Sequence, residues 1–363
     1  MSQPDLTQCR ERIDAIDDQL VELLNQRAAI ALEVGQAKAS DGGAVFVPHR
    51  EQEVLTRVAA RNAGPLPDAC LQAIWREIMS GSLALERPLR ICHFAEPGSF
   101  THLAARRKFG HGVSYQGAAT IAEVFAEVER GNADYGVVPI ENSTDGGISD
   151  TSDRLLNTPL QIVSEMTLRI RHHLMAADPD DPIQRIYSKH TVFGQCQRWL
   201  AGHMPGAELI EVGSTTKAAQ RVAQEPGGAA IGNREAAEEF GLHIIAEDIE
   251  DNPTNTTRFV VLAERAKAAQ PTGHDKTSLM FAIQDRPGAL YQALLPFHEA
   301  GISLSRIESR PSRRQPWEYL FFIDILAHHH DAPVKAALEQ LATMTSTLQV
   351  LGSYPQATTP LNG

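Results

Sequence analysis

From Leu6 to Ser40 the chain runs without a proline, and from Ile13 its apolar residues follow a heptad spacing. Ile13, Leu20 and Val34 fall on one position; Ile16, Leu23, Ile30 and Ala37 fall on the other. A single helix over this stretch is roughly 50 Å long at 1.5 Å per residue, too long to fold back on itself. One residue breaks the seam. Arg27 occupies the slot between Leu20 and Val34, where a guanidinium is costly unless it meets an anion, either an interhelical carboxylate or a ligand. Lys38 follows three turns later and about 20° round the helix, so both cations project into one groove. Asp41-Gly42-Gly43 stops this helix, a second opens at Arg50-Glu51 and runs to Asn62, and Gly64-Pro-Leu-Pro67 separates it from a third over Asp68 to about Glu86.

Beyond Pro88 the pattern changes. Arg90–Phe94 reads as a strand leading into Glu96-Pro-Gly-Ser-Phe-Thr-His102, where Ser99 or Thr101 caps a helix and the turn offers backbone N–H groups to an anion. Tyr135–Ile140 is a short apolar strand ended by polar groups, Glu141, Asn142, Ser143 and Thr144, and then Gly146-Gly147. A second hydroxyl-rich stretch, Asn255-Thr256-Thr257-Arg258-Phe259, abuts the apolar strand Phe259–Leu262. In α/β sheets, polar groups just past a strand's carboxyl end face the ligand crevice. Alternating strands and helices between these two stretches imply two α/β subdomains with a cleft between them. Glu264 to Lys276 reads as a polar linker, and the chain beyond it has a βαββαβ order that is ferredoxin-like. The tail from Pro355 is expected to fray.

At 363 residues the chain has room for two or three domains, and a net charge of −12 argues against nucleic acid or an anionic membrane as main partners. An anionic substrate must therefore be caught by a local basic pocket. Cys9, Cys70, Cys92 and Cys196 show no Cys-x-x-Cys spacing, the N-terminus lacks a basic-then-apolar leader, and no apolar run spans a bilayer. A cytoplasmic protein without metal or cofactor is the expectation. His328-His-His330-Asp331 and His172-His173 are adjacent histidines that do not all point one way, so neither is read as a metal site.

The three helices over residues 1–88 resemble the all-helical chorismate mutase, an intertwined dimer. That resemblance implies catalytic roles for Arg27, Lys38 and Glu86, and substrate contacts from Arg10 (reaching in from the partner chain), Arg50, Glu51 and Ser82. Val47 stands where some relatives have aspartate, and Glu86 where some have glutamine opposite the ether oxygen; only a protonated Glu86 donates to that oxygen. Residues 89–265, through VVPIENS…G, TRF, YSK…QC and a Ser214-Thr-Thr216 turn, resemble prephenate dehydratase, with an architecture similar to type II periplasmic binding proteins. Thr257 is then the donor to the departing hydroxyl and Arg258 a carboxylate clamp. Glu141, Asn142, Ser143, Ser188, Gln195 and Phe259 join them as substrate-binding residues. Residues 276–355 resemble an ACT domain. Its motifs, Gly288-Ala289-Leu290 and Glu308-Ser309-Arg310-Pro311, imply a phenylalanine effector site.

In series these modules are similar to the bifunctional P-protein family, which implies chorismate and prephenate as substrates, phenylalanine as inhibitor, and a homodimer or tetramer. Two other readings use the same residues: a non-catalytic small-molecule sensor or solute-binding protein, and a dehydratase carrying an inactive mutase domain.

Overall fold

The computed structural model describes residues 5–41, 46–225, 227–311, 318–357 and 361. The Gly42-Gly43 helix stop, Trp317 as a strand start, and the extreme termini lie outside the described residues. Two compact units form: one from residues 1–47, 53–89 and 109–114, the other from the remainder.

The first unit is built on α1 (Leu6–Asp41), most of α2 (Pro48–Ala60) and α3 (Asp68–Glu86). The heptad stripe of α1 is solvent-facing in a single chain: Ile13 is 57 % exposed, Ile16 55 % and Ile30 60 %. Gly35 lets α3 approach closely, since a Cβ there would meet Glu86 Cγ at 2.9 Å.

The second unit contains three sheets. Lobe one comprises β1 (Arg90–Phe94), α4 (Phe100–Phe109), β2 (Ser114–Ala118), α5 (Ile121–Glu129), β3 (Tyr135–Asn142), β4 (Gly146–Gly147), α6 (Ser149–Leu155) and β5 (Leu160–Arg169). Lobe two comprises β6 (His173–Ala176), β7 (Arg185–Ser188), α7 (His190–Gln195), α8 (Gln197–His203), β8 (Glu208–Glu211), α9 (Thr215–Val222), β9 (Gly228–Gly232), α10 (Arg234–Phe240) and β10 (His243–Ala246). The chain then returns to lobe one through β11 (Thr256–Glu264), which lies antiparallel between β3 and β5 in the order β2-β1-β3-β11-β5. In lobe two the order is β10-β6-β9-β7-β8, with β7 parallel to both β8 and β9. Local signals start the helices: Thr120 and Glu123 form a capping box on α5, while Ser214 and Asn233 cap α9 and α10. Of the two candidate caps before α4, Ser99 is the one used; its Oγ accepts from His102 N at 3.2 Å.

The third sheet is β12 (Asp275–Gln284), β13 (Leu304–Pro311), β14 (Glu318–Ile325) and β15 (Thr347–Pro355), ordered β13-β14-β12-β15, with α11 (Ala289–Glu299) and α12 (Ala332–Met344). Period-2 alternation divides β12 between two cores. Leu279, Phe281 and Ile283 pack beneath α11 and α12, while Met280 and Ala282 share a core with Val138, Ile140, Val260 and Leu262 of lobe one. Gly352 permits this stacking, because a Cβ there would fall 2.0 Å from the Ile162 carbonyl oxygen.

Two expectations are corrected. Asp275 and Lys276, read as linker, are buried in β12. The tail does not fray over its described part: Gln356 N donates to the His274 carbonyl at 2.9 Å, Ala357 N to Glu165 at 2.9 Å, and Leu361 N to the Thr167 carbonyl at 2.7 Å. Backbone groups left over on β5 give the returning chain something to pair with.

Candidate active site and regulatory strand

On β3 and β11, Asn142 and Thr257 stand directly opposite each other in the register. The Asn142 amide is oriented from behind, its Oδ1 accepting from Thr144 N at 2.8 Å and Asp145 N at 2.9 Å. Its Nδ2 must then face forward, where it donates to Thr257 Oγ1 at 2.9 Å and Asn255 Oδ1 at 3.0 Å. With a lone pair of the Thr257 oxygen engaged in this way, the hydroxyl proton is left to donate elsewhere. Ser143 joins the two stretches, its Oγ accepting from Thr256 N at 2.9 Å.

Lobe two meets this cluster from the other side. Gln195 Nε2 donates to Asp145 Oδ2 at 3.3 Å, and its Oε1 takes a hydrogen bond from His172 Nε2 at 2.8 Å. Burial holds the His172 pKa below its ordinary value, so the ring is neutral, with its proton on the nitrogen facing Gln195. Phe100 of lobe one meets the His172 ring edge-on, with centroids 5.6 Å apart. Ser188 is fully buried and gives its proton to the Ile231 carbonyl at 3.0 Å, which leaves it only lone pairs for a ligand.

Three residues predicted to touch substrate are placed elsewhere. Arg258 follows Thr257 on a strand, so its side chain leaves the opposite face of the sheet. There Nε reaches Glu165 at 2.6 Å, Nη1 reaches Asp324 at 2.5 Å, and Nη2 donates to the Tyr354 hydroxyl at 2.8 Å. This guanidinium ties lobe one to β14 and β15. Glu141 obeys the same alternation, its Oε2 lying 3.5 Å from Arg258 and 3.6 Å from Arg306. Phe259 is 1 % exposed and belongs to the packing.

In the helical unit, Arg27 Nη1 donates to Ser82 Oγ, and Lys38 Nζ lies 3.2 Å from Glu86 Oε2. Burial, and then repulsion from Arg57, lower the Arg27 pKa, as expected for a cation drawn from water beside a like charge. Arg10 and Arg50 are exposed. Glu51, on the first turn of α2, accepts from Lys108 Nζ at 2.5 Å; both residues group with the second unit.

The effector motifs lie at the start of α11 and along β13. Gly288 takes φ 78° as it caps α11, a conformation only glycine enters freely; Ala289 and Leu290 follow in the helix. On β13 the alternation divides the second motif. Ser309 and Pro311 are exposed, whereas Glu308 pairs with Arg306 and would collide with any side chain at residue 147. Arg310 reaches Asp153 at 2.9 Å and the Ser149 carbonyl at 2.9 Å. Half of the motif therefore grips the segment just after Asn142.

Comparison with known proteins agrees with each region. Residues 9–87 match the model of chorismate mutase type II, 91–267 that of prephenate dehydratase, and 277–343 that of the ACT domain. A bifunctional chorismate mutase/prephenate dehydratase from Stutzerimonas stutzeri is 42 % identical over 98 % of this chain and 100 % of its own. The chain belongs to this bifunctional family. Among solved structures, a prephenate dehydratase from Arthrobacter aurescens in complex with L-Phe is similar, at TM-score 0.69 and 33 % identity, over 74 % of this chain and 90 % of that one. A protein described as a novel type of quorum quenching acylase is similar too, at TM-score 0.68 and 29 % identity, over 74 % of this chain and 98 % of that one.

Against the family's motifs, sequence reasoning missed Asn255, whose Oδ1 gathers Asn142, and His172, which orients Gln195. Asn255 had a signal, its place two residues before Thr257. The histidine had none, because its partner is 23 residues away in the chain.

Proposed function

We infer that the chain rearranges chorismate to prephenate and then dehydrates and decarboxylates prephenate to phenylpyruvate, with phenylalanine as feedback inhibitor. The observation that carries the second step is the Asn142-to-Thr257 hydrogen bond at 2.9 Å. In prephenate the bond from ring to carboxylate breaks, its electrons move through the diene, and the hydroxyl at the far ring carbon departs as the ring becomes aromatic. A threonine hydroxyl is too weak an acid to deliver a full proton; as an oriented donor it stabilises the departing oxygen. Gln195 and Ser143 position the substrate in this reading, while Arg258 and Glu141 act through the sheet.

The mutase step needs neither base nor covalent intermediate, because it rearranges one molecule held in a compact conformer. Arg27, with its pKa lowered by burial and by Arg57, suits a dianion, and Lys38 with Glu86 would face the breaking ether bond. The exposed apolar seam of α1 supports a homodimer, in which Arg10 of the second chain completes the pocket; a tetramer of two such dimers is the larger alternative. A cytoplasmic location suits this biosynthetic role. Among the described residues, no helix is long and apolar enough to cross a membrane.

The test is Thr257→Ala. Phenylpyruvate formation from prephenate is expected to fall at least a hundredfold, roughly the loss of one oxyanion-type donor, with mutase turnover unchanged. Retained dehydration in this variant contradicts the assignment.

A further inference from the structure

Thr216 and Asn233 lie just past the carboxyl ends of two strands that flank β7 in lobe two. Both are buried, at 3 % and 1 % exposure, and each keeps one polar atom without a partner: Thr216 Oγ1 and Asn233 Nδ2. Leaving a buried polar atom unsatisfied costs about 1–3 kcal/mol, so one past each of the two strands beside β7 calls for an explanation. Asn233 spends its Oδ1 on the α10 cap, accepting from Ala236 N at 2.8 Å, and this turns its NH2 away from the helix. Thr216 stands in the first turn of α9, where helical side chains lean toward the N-terminus and the first N–H groups have no acceptor within the helix. The two elements touch, since a Cβ on Gly232 would lie 3.6 Å from Thr215 Cβ. Across the cleft, Glu96 of lobe one faces the same helix end. It accepts from Ser214 Oγ at 3.4 Å and lies 3.7 Å from Lys217 Nζ, which balances its charge.

We propose that Thr216 Oγ1, Asn233 Nδ2 and the N-terminal N–H groups of α9 form a subsite for the pyruvyl carboxylate of prephenate, a subsite that phenylpyruvate also occupies. The proposal rests on the dehydratase reading and extends it. Prephenate carries two carboxylates with opposite needs. The ring carboxylate leaves as carbon dioxide and loses its charge in the transition state, so donors gripping it would slow the reaction. The pyruvyl carboxylate keeps its charge throughout and is the one that strong donors can hold. It is attached at the ring carbon opposite the departing hydroxyl. With Thr257 of lobe one at the hydroxyl end, the pyruvyl end falls to lobe two. Ser188, its proton committed to a carbonyl, cannot supply that grip; Thr216 and Asn233 can.

The experiment compares the parent enzyme with Thr216→Val, which keeps the shape and removes the hydroxyl, and Asn233→Asp, which keeps the cap and replaces the donor with an anion. Dehydratase kinetics with prephenate and calorimetric binding of phenylpyruvate are read together. The prediction for Thr216→Val is a KM about tenfold higher, phenylpyruvate binding weakened by a similar factor, kcat within about threefold of the parent, and an unchanged or higher melting temperature. Asn233→Asp should weaken both ligands further. If KM and phenylpyruvate binding stay at parent values, or kcat falls while KM holds, the subsite is wrong. A rise in KM without weaker phenylpyruvate binding overturns it too, because the grip would then be on the ring carboxylate. Parent enzyme that binds phenylpyruvate but leaves prephenate unchanged would count against the dehydratase reading and not against the subsite. Parent enzyme that does not bind phenylpyruvate overturns the subsite.

Discussion

Arg258→Met separates two roles that a motif cannot distinguish. Methionine keeps most of the buried aliphatic volume and removes the charge. Glu165 and Asp324 each have side chains only 1 % exposed. Glu165 retains Lys276, whose Nζ lies 2.9 and 3.0 Å from its two oxygens. Asp324 retains the Ser278 hydroxyl at 2.5 Å but loses the guanidinium at the same distance. Most of the damage therefore falls on Asp324. Removing one member of a buried ion pair costs about 3–5 kcal/mol, which in a unit of this size lowers the melting temperature by roughly 6–20 °C. Scanning calorimetry reads this directly, and dehydratase turnover well below the transition should stay within about tenfold of the parent. Adding Asp324→Leu to Arg258→Met removes the stranded charge and should restore much of the loss. A variant that melts like the parent but has no dehydratase activity would refute the reasoning and return Arg258 to the cleft as a substrate clamp.

Three further outcomes are expected. Ala95 is held at φ 69°, a region that costs a non-glycine residue about 1–2 kcal/mol, so Ala95→Gly should raise stability by about 1 kcal/mol; an unchanged or lower melting temperature would contradict this. Burial, and then the neighbouring His102, push the His93 pKa down to about 4. The unfolded chain takes up a proton near pH 6.5 that the folded ring refuses until about 4. Stability present above pH 6.5 is thus lost as pH falls toward 4, and His93→Phe should reduce that slope by about one proton in denaturant titrations. An identical slope in the variant would rule His93 out as a contributor. Glu86→Gln removes the carboxylate that lies 3.2 Å from Lys38 Nζ and puts an amide donor in its place, so mutase activity should persist in this variant; its loss would show that the carboxylate itself is required.

The elements were legible because their signals are local. The proline-free heptads gave α1, and the glycine and proline breaks bounded α2 and α3 closely. The polar ends of β3 and β11 pointed to Asn142 and Thr257, which the register sets opposite each other. What was not legible depends on which face of a strand a residue leaves and on what lies there. Arg258 and Glu141 sit within one residue of the cleft pair, yet the pleat sends Arg258 toward Asp324 of β14 and Glu141 toward Arg306 of β13, each more than sixty positions away in the chain. The division of Glu308-Ser309-Arg310 has the same cause. The buried hydroxyl of Thr216 was half visible, as part of a hydroxyl-rich turn, whereas Asn233 gave no signal, because its burial is supplied only by the fold. The C-terminal tail reads as polar and unstructured, but its backbone finds acceptors on β5.

The most direct test of the central claim is to incubate the purified protein with chorismate and follow phenylpyruvate, with and without added phenylalanine. The account predicts that phenylpyruvate forms and that phenylalanine diminishes it, which requires both catalytic sites and the regulatory domain to work in one chain. Accumulation of prephenate without phenylpyruvate would contradict the roles of Thr257 and Asn142. Chorismate left intact while supplied prephenate is consumed would reduce the helical unit to a scaffold.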